Sequence, residues 1–148
     1  MRNLLVFLHL AAAIFWMGGM AFVVLALRPA LHAQLPPPQR QPLMVQVLRR
    51  FFAVVAVSIA VLLATGAPLL LQLPGEQAPR GWHVMAALGV LMMLVFGHVF
   101  FSPWKRLQRA VTAQDWPEGG KRLNQITLLV KINLGLGWLA IAAVLLWR

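Results

Sequence analysis

The chain has 148 residues, of which 61% are hydrophobic and only 11% charged, with a formal charge of +10 and no cysteine. A soluble domain carries about 25% charged residues, and a chain this short has no interior large enough to hide so much apolar surface, which leaves a bilayer as the matching solvent. The missing thiols exclude disulfides, thiolate metal sites, covalent c-type haem attachment and iron–sulfur ligation by this chain.

The first predicted element is the apolar run Leu4–Leu27, 24 residues long. It exceeds the about 7–15 apolar residues of a secretory leader, and Leu31-His32-Ala33 is a poor cleavage site, so a retained transmembrane helix is expected. Arg28-Pro29 should end it, because proline lacks the N–H and restricts the residue before it. A loop over about 29–50 follows, holding Pro36-Pro37-Pro38. The second helix is predicted over about 51–73, with Pro68 as a kink near its end. Pro74 to Arg80 makes a short connection, and the third helix spans about 81–101 up to Ser102-Pro103. A basic amphipathic segment fills about 102–125, and the fourth helix runs over about 126–147 to the interfacial Trp147. The prediction is one membrane domain, 1–148, all-α, built as a four-transmembrane-helix up-down bundle.

The charges are unevenly shared. Arg28, Arg40, Arg49 and Arg50 border the first loop, and Lys105, Arg106, Arg109, Lys121, Arg122 and Lys131 the third. Only Arg2, Arg80 and Arg148 belong to the other side. The positive-inside bias then puts loops one and three in the cytoplasm and both termini outside. Basic residues interleaved with membrane runs in this way argue for lipid headgroups as partners and against nucleic acid.

Polar residues inside the spans are the chemically informative ones, because burying them there is costly. They are His9, Gln72, His83, His98, Lys131 and Asn133, with His32 just beyond the first helix. His9 and His83 stand near the starts of helices one and three, which run in the same direction. Each is followed one turn on by small residues of its own face, Ala12 and Ala13 after His9, Ala86 and Ala87 after His83. Trp16 and Val90 come next along those faces. Two imidazoles at one level, with room for a flat macrocycle between them, fit the axial ligands of a b-type haem. Taken singly, each is better read as a hydrogen-bonded interfacial histidine, and it is the matched pair with matched alanines that favours the haem. His98 follows His83 by 15 residues, about 22 Å along the helix, and with His32 could form a second metal site at the cytoplasmic face. Met17, Met20, Met85, Met92 and Met93 supply thioethers that suit Cu(I), or ordinary core filling. Lys131 and Asn133 read as a snorkelling cation and an interhelical hydrogen bonder. The only carboxylates are Glu76, Asp115 and Glu118, all outside the apolar runs, and there is no nucleotide-binding loop. Gly18, Gly19, Gly135 and Gly137 permit close packing within one chain or in a homo-oligomer.

The run Leu8-His9-Leu10-Ala11-Ala12-Ala13-Ile14-Phe15-Trp16-Met17-Gly18-Gly19 resembles the first helix of the copper-resistance D (CopD) domain family. Arg28-Pro29, Arg50-Phe51, Thr65-Gly66 and the stretch from Trp82-His83-Val84-Met85 to His98-Val99-Phe100-Phe101 extend the likeness over nearly the whole chain. The resemblance implies a bacterial inner-membrane protein that binds or transports copper. The same core resembles HemJ-type protoporphyrinogen oxidases, which place a haem-ligating histidine where this chain has His9; Met85 stands where that family has lysine. The leading expectation is a membrane haem b protein with His9 and His83 as iron ligands, lined by Ala13, Trp16 and Ala87. It would pass electrons to or from a quinone or a redox partner protein, and if catalytic would be an oxidoreductase. Copper handling, a HemJ-like oxidase and a structural subunit are the alternatives.

Overall fold

The computed structural model describes residues 1–71 and 79–147. Gln72, Leu73, most of the short connection with Glu76, and Arg148 lie outside the described residues. The described residues form six α-helices: α1 Arg2–Phe22, α2 Arg28–Gln34, α3 Pro37–Leu71, α4 Arg80–Phe101, α5 Pro103–Thr112 and α6 Trp116–Leu146. A π-helical turn, Val23–Leu27, joins α1 to α2 without a break. Four helical stretches are long and apolar enough to cross a membrane, Arg2–Gln34, Pro37–Leu71, Arg80–Thr112 and Trp116–Leu146. The chain is thus an all-α, multi-pass membrane protein, with no strand among the described residues.

Two expected boundaries move. Arg28-Pro29 does not end the first helix, because the wider π turn lets the Arg28 N–H bond back to the Val23 carbonyl and so leaves space for the ring of Pro29. Nor is the stretch 29–50 a loop. Proline is tolerated in the first turn of a helix, where its missing N–H has no partner to lose, so Pro37-Pro38 opens α3 and the only break is at Leu35 and Pro36. Pro68 is accommodated inside α3, which continues to Leu71. The third boundary matches: Ser102 leaves helical geometry at φ −118° and ψ −84°, and Pro103 starts α5. That segment is the predicted amphipathic one, burying Trp104, Leu107 and Ala110 while Lys105, Arg106 and Arg109 stay exposed. Gln114, in the left-handed region at φ 57°, turns the chain into α6. Asp115 caps α6 by accepting the Glu118 N–H at 3.1 Å, and Pro117 fills the first turn.

The helices associate as two pairs, α1 with α3 and α4 with α6, and α5 folds back on α6. In lipid there is little hydrophobic force between helices, so tight side-chain packing has to hold the pairs together. Its centre is aromatic. The Phe52 ring meets Trp104 edge-on at 5.0 Å between centroids and Phe96 at 5.6 Å. Trp16 crosses from α1 to Phe96 of α4 at 6.5 Å. Met20, Leu48, Leu107 and Ile126 complete this core, all of them on the basic half of the bundle. Asn133, 3% exposed, donates its amide N–H to the Met92 carbonyl at 3.3 Å, the interhelical bond expected of it. On the opposite half, toward the ends of α3 and α6, Met17 of α1 lies against Gly137 of α6.

Candidate functional site

His9 is the one histidine drawn into the interior. It lies half-buried on α1, seven residues after Arg2, beside Thr65, six residues before the end of α3. Its Nδ1 is 2.9 Å from Thr65 Oγ1. The Thr65 hydroxyl has a single proton, and that proton goes to the Val61 carbonyl one turn back, at 2.7 Å. With the proton on that carbonyl, the oxygen accepts from the imidazole, the ring proton is on Nδ1 and the Nε2 lone pair is free; a hydroxyl donating to Nδ1 instead selects the other tautomer. A metal-ligating histidine is normally held in this way, with its second nitrogen donating to a fixed acceptor.

Gly66 completes the cradle. A Cβ at that position would stand 3.0 Å from His9 Cε1 and 3.5 Å from Nδ1, so a larger residue would make the ring give way by a few tenths of an ångström. Thr65-Gly66 is thus one unit, in which one residue orients the imidazole and the next makes space for it. Around it are further small residues, Ala12 and Ser58, both buried, and Ala13, half-buried.

The other sequence-derived site residues are spread out. His83 and Ala87 are exposed on α4, with Ala86 half-buried. α4 packs extensively on α6 and meets α1 mainly where Trp16 reaches Phe96, so the ends carrying His9 and His83 are not pressed together within the chain. Trp16, 3% exposed, belongs to the aromatic core against Phe96. His98 is exposed on α4. His32 is exposed on α2, its Nδ1 at 3.2 Å from the Arg28 carbonyl of its own helix. No group of three or more His, Cys, Asp or Glu that could hold a metal occurs among the described residues. Met20 and Met92 are buried packing residues of the core, and Met17 seats against Gly137.

A second set of polar contacts gathers at the basic end, and the sequence reading did not assemble it. Arg28 donates to the side-chain oxygen of Asn124 on α6. Gln41 of α3, 1% exposed, donates to the Trp116 carbonyl at 2.8 Å and presses against Gly119. Arg40 donates to the Leu35 carbonyl at 3.3 Å. The Arg28 and Gln41 bonds tie the first part of α6 to the helical extensions at 28–50, a stretch the sequence presented as loop.

The family model described as Copper resistance protein D matches residues 45–147. The match takes in Thr65, Gly66, His83 and His98 and begins beyond His9. A protein of Aquifex aeolicus (strain VF5), described only as uncharacterized, is 29% identical over 138 residues, covering 91% of this chain and 93% of that one. No solved structure matches.

Proposed function

The chain belongs to the copper resistance protein D family, and we propose that within it this protein is a membrane haem b protein with a redox role, His9 Nε2 being its ligand to the haem iron. The observation that carries this reading is the His9–Thr65 contact at 2.9 Å, which holds the imidazole by one nitrogen and, with the Thr65 proton on the Val61 carbonyl, leaves the other free to ligate. A haem needs only one or two such imidazoles from the protein. His83, near the start of α4, would be the second histidine to hold the haem iron, and Ala13 and Ala87 would be small residues that leave room for the group. When bound, the haem supplies one-electron chemistry. The chain's own residues orient the ligand through Thr65, keep space for it with Gly66, and surround it with apolar side chains that exclude water. With no carboxylate in the apolar runs, the role that suits the site is electron transfer, to or from a quinone or a redox protein. Both termini are proposed to face outward from a bacterial inner membrane, with α5 at the cytoplasmic face.

A second reading, copper binding or transport, is favoured by the family's description. It keeps His9 as a ligand and asks methionine sulfur to complete the set. The test is a visible spectrum of detergent-purified protein, oxidised and then dithionite-reduced, with metal analysis of the same sample. Sharp α and β bands on reduction, lost in His9→Ala, are expected. A colourless protein carrying copper would replace the haem reading with the second one, and a colourless, metal-free protein would remove both.

A further inference from the structure

α5 has one face packed into the bundle and the other open. Trp104, Leu107 and Ala110 are buried, so the apolar side of the helix is already covered by the protein itself. The opposite side carries Lys105, Gln108, Arg109 and Thr112, spaced as i, i+3, i+4 and i+7 and so aligned along one face. With Ala113 they line an open groove of about 490 Å³. Lys105, Arg109 and Thr112 are exposed and Gln108 is half-buried, which puts their polar groups within reach of a ligand. The Thr112 hydroxyl gives its proton to the Gln108 carbonyl at 2.9 Å, leaving the ammonium, the guanidinium and the side-chain amide as the donors of the groove. Among the described residues no carboxylate lines it. The acids that follow in sequence are engaged elsewhere: Asp115 caps α6, and Glu118 pairs with Arg122 at 2.6 Å. Two cations and an amide without a counter-charge match an anion with several oxygens, and the guanidinium fork suits phosphate.

The position of the groove selects the molecule that carries this anion. Lys105 Nζ stands 5.2 Å from the centroid of the Phe101 ring, the last residue of α4. Phe101 is exposed, and so are Leu94 and Val90 further down the same helix; at 100° per residue the three lie within about 40° of one another. An apolar track on a membrane-spanning helix therefore runs up to the cationic groove, as acyl chains run up to a headgroup. A small anion from solution would use the groove but not the track. We propose that the α5 groove binds the headgroup of an anionic phospholipid, with the phosphate on Lys105 and Arg109 and the chains along Leu94 and Phe101.

The experiment is thermal unfolding of the delipidated chain in an uncharged detergent, followed by the fluorescence of its six tryptophans. The probes are dioctanoyl phosphatidylglycerol, dioctanoyl phosphatidylcholine (the same tails, with the phosphate charge cancelled by choline) and inorganic phosphate. A saturable rise in Tm is expected with phosphatidylglycerol alone. Lys105→Gln and Arg109→Gln should each raise its half-saturating concentration about fivefold, and the double variant about thirtyfold, the loss of one and of two basic side chains at an anionic surface. Replacing Arg49 and Arg50 together by Gln removes the same charge from exposed positions on α3 and should leave saturation unchanged. Equal stabilisation by phosphatidylcholine, or a comparable rise with inorganic phosphate, would overturn the proposal. So would unchanged saturation in the α5 double variant, or an equal loss in the α3 one, which would make the preference a property of the overall charge. The three probes on the wild-type chain decide by themselves if a variant fails to fold.

Discussion

Replacing Thr65 by valine isolates the contact on which the His9 reading rests. Valine keeps the shape and the branching of the side chain but removes the oxygen that accepts the Nδ1 proton at 2.9 Å. The imidazole is left with an unsatisfied N–H facing α3 and loses the bond that fixes its tautomer and rotation. Interhelical hydrogen bonds in membranes average about 0.6 kcal/mol and reach about 1.7, so the change in fold stability should be small. Loss of a partner that orients a metal ligand typically weakens metal affinity by about 10–100-fold, so haem binding should suffer much more than folding does. The assay is haem titration of the purified apo-protein, read at the Soret band, with Tm measured on the same preparations. Thr65→Ser, which restores the hydroxyl, should bind close to wild type. If Thr65→Val binds haem as tightly as wild type while His9→Ala does not bind at all, the tautomer assignment is wrong and Thr65 serves only the helix.

Three further outcomes follow from the packing and topology. Gly119→Ala puts a Cβ into the buried amide of Gln41; it should lower stability by about 1–3 kcal/mol, the range for overpacking, seen as a lower Tm. Phe52→Ala removes the ring that meets Phe96, Phe100 and Trp104. Because little water-exclusion energy is at stake in lipid, the loss should be about 1–3 kcal/mol, below that of a soluble core, again by Tm. The absence of cysteine gives labelling without background. A cysteine at Thr112 or Gln114 should react with an impermeant maleimide only in inverted vesicles, and one at Asn3 only in intact cells or right-side-out vesicles.

Four spans and their order were legible because bilayer-length apolar runs have no other use, and proline and charge mark where they stop. The ends were less legible. Pro29 and Pro37 read as helix breakers, yet a π turn absorbs the first and a helix start the second, and neither device leaves a pattern in hydrophobicity. The polar interlock of Gln41 with Trp116 and Gly119 joins residues 75 positions apart in sequence, and no local periodicity announces such a contact. His9 stood out as a costly polar residue in lipid. Its partner did not, because a threonine bonding back to its own helix is ordinary, and only its depth on an antiparallel neighbour brings Thr65 to the ring. The likeness of His9 and His83 rested on their both being followed by alanines. The structure gives them unlike surroundings, one drawn against α3 and the other exposed on α4.

The bundle divides along the membrane normal, and the division bears on how a ligand at one end is felt at the other. Large interlocking side chains, Trp16, Met20, Leu48, Phe52, Leu107 and Ile126, fill the basic half. The half around His9 is joined by Ala12, Ser58, Thr65, Gly66 and Gly137, which give close backbone approach but few dispersion contacts. Stability in lipid comes from packing, so if a guest binds beside His9 the basic half is expected to hold the helix positions while the His9 half yields to it. Two consequences separate this from a uniformly packed bundle. Core variants such as Phe52→Ala should lower Tm with or without haem, since the aromatic core is unchanged by a guest at the other end. Filling variants near His9, Gly66→Ala foremost, should leave the apo-protein nearly as stable as before and act on haem affinity, because the added methyl displaces a ring that carries little of the packing. If Gly66→Ala instead destabilises the apo-protein as much as Phe52→Ala does, the two halves share one cooperative core and the open half has no special place for a guest.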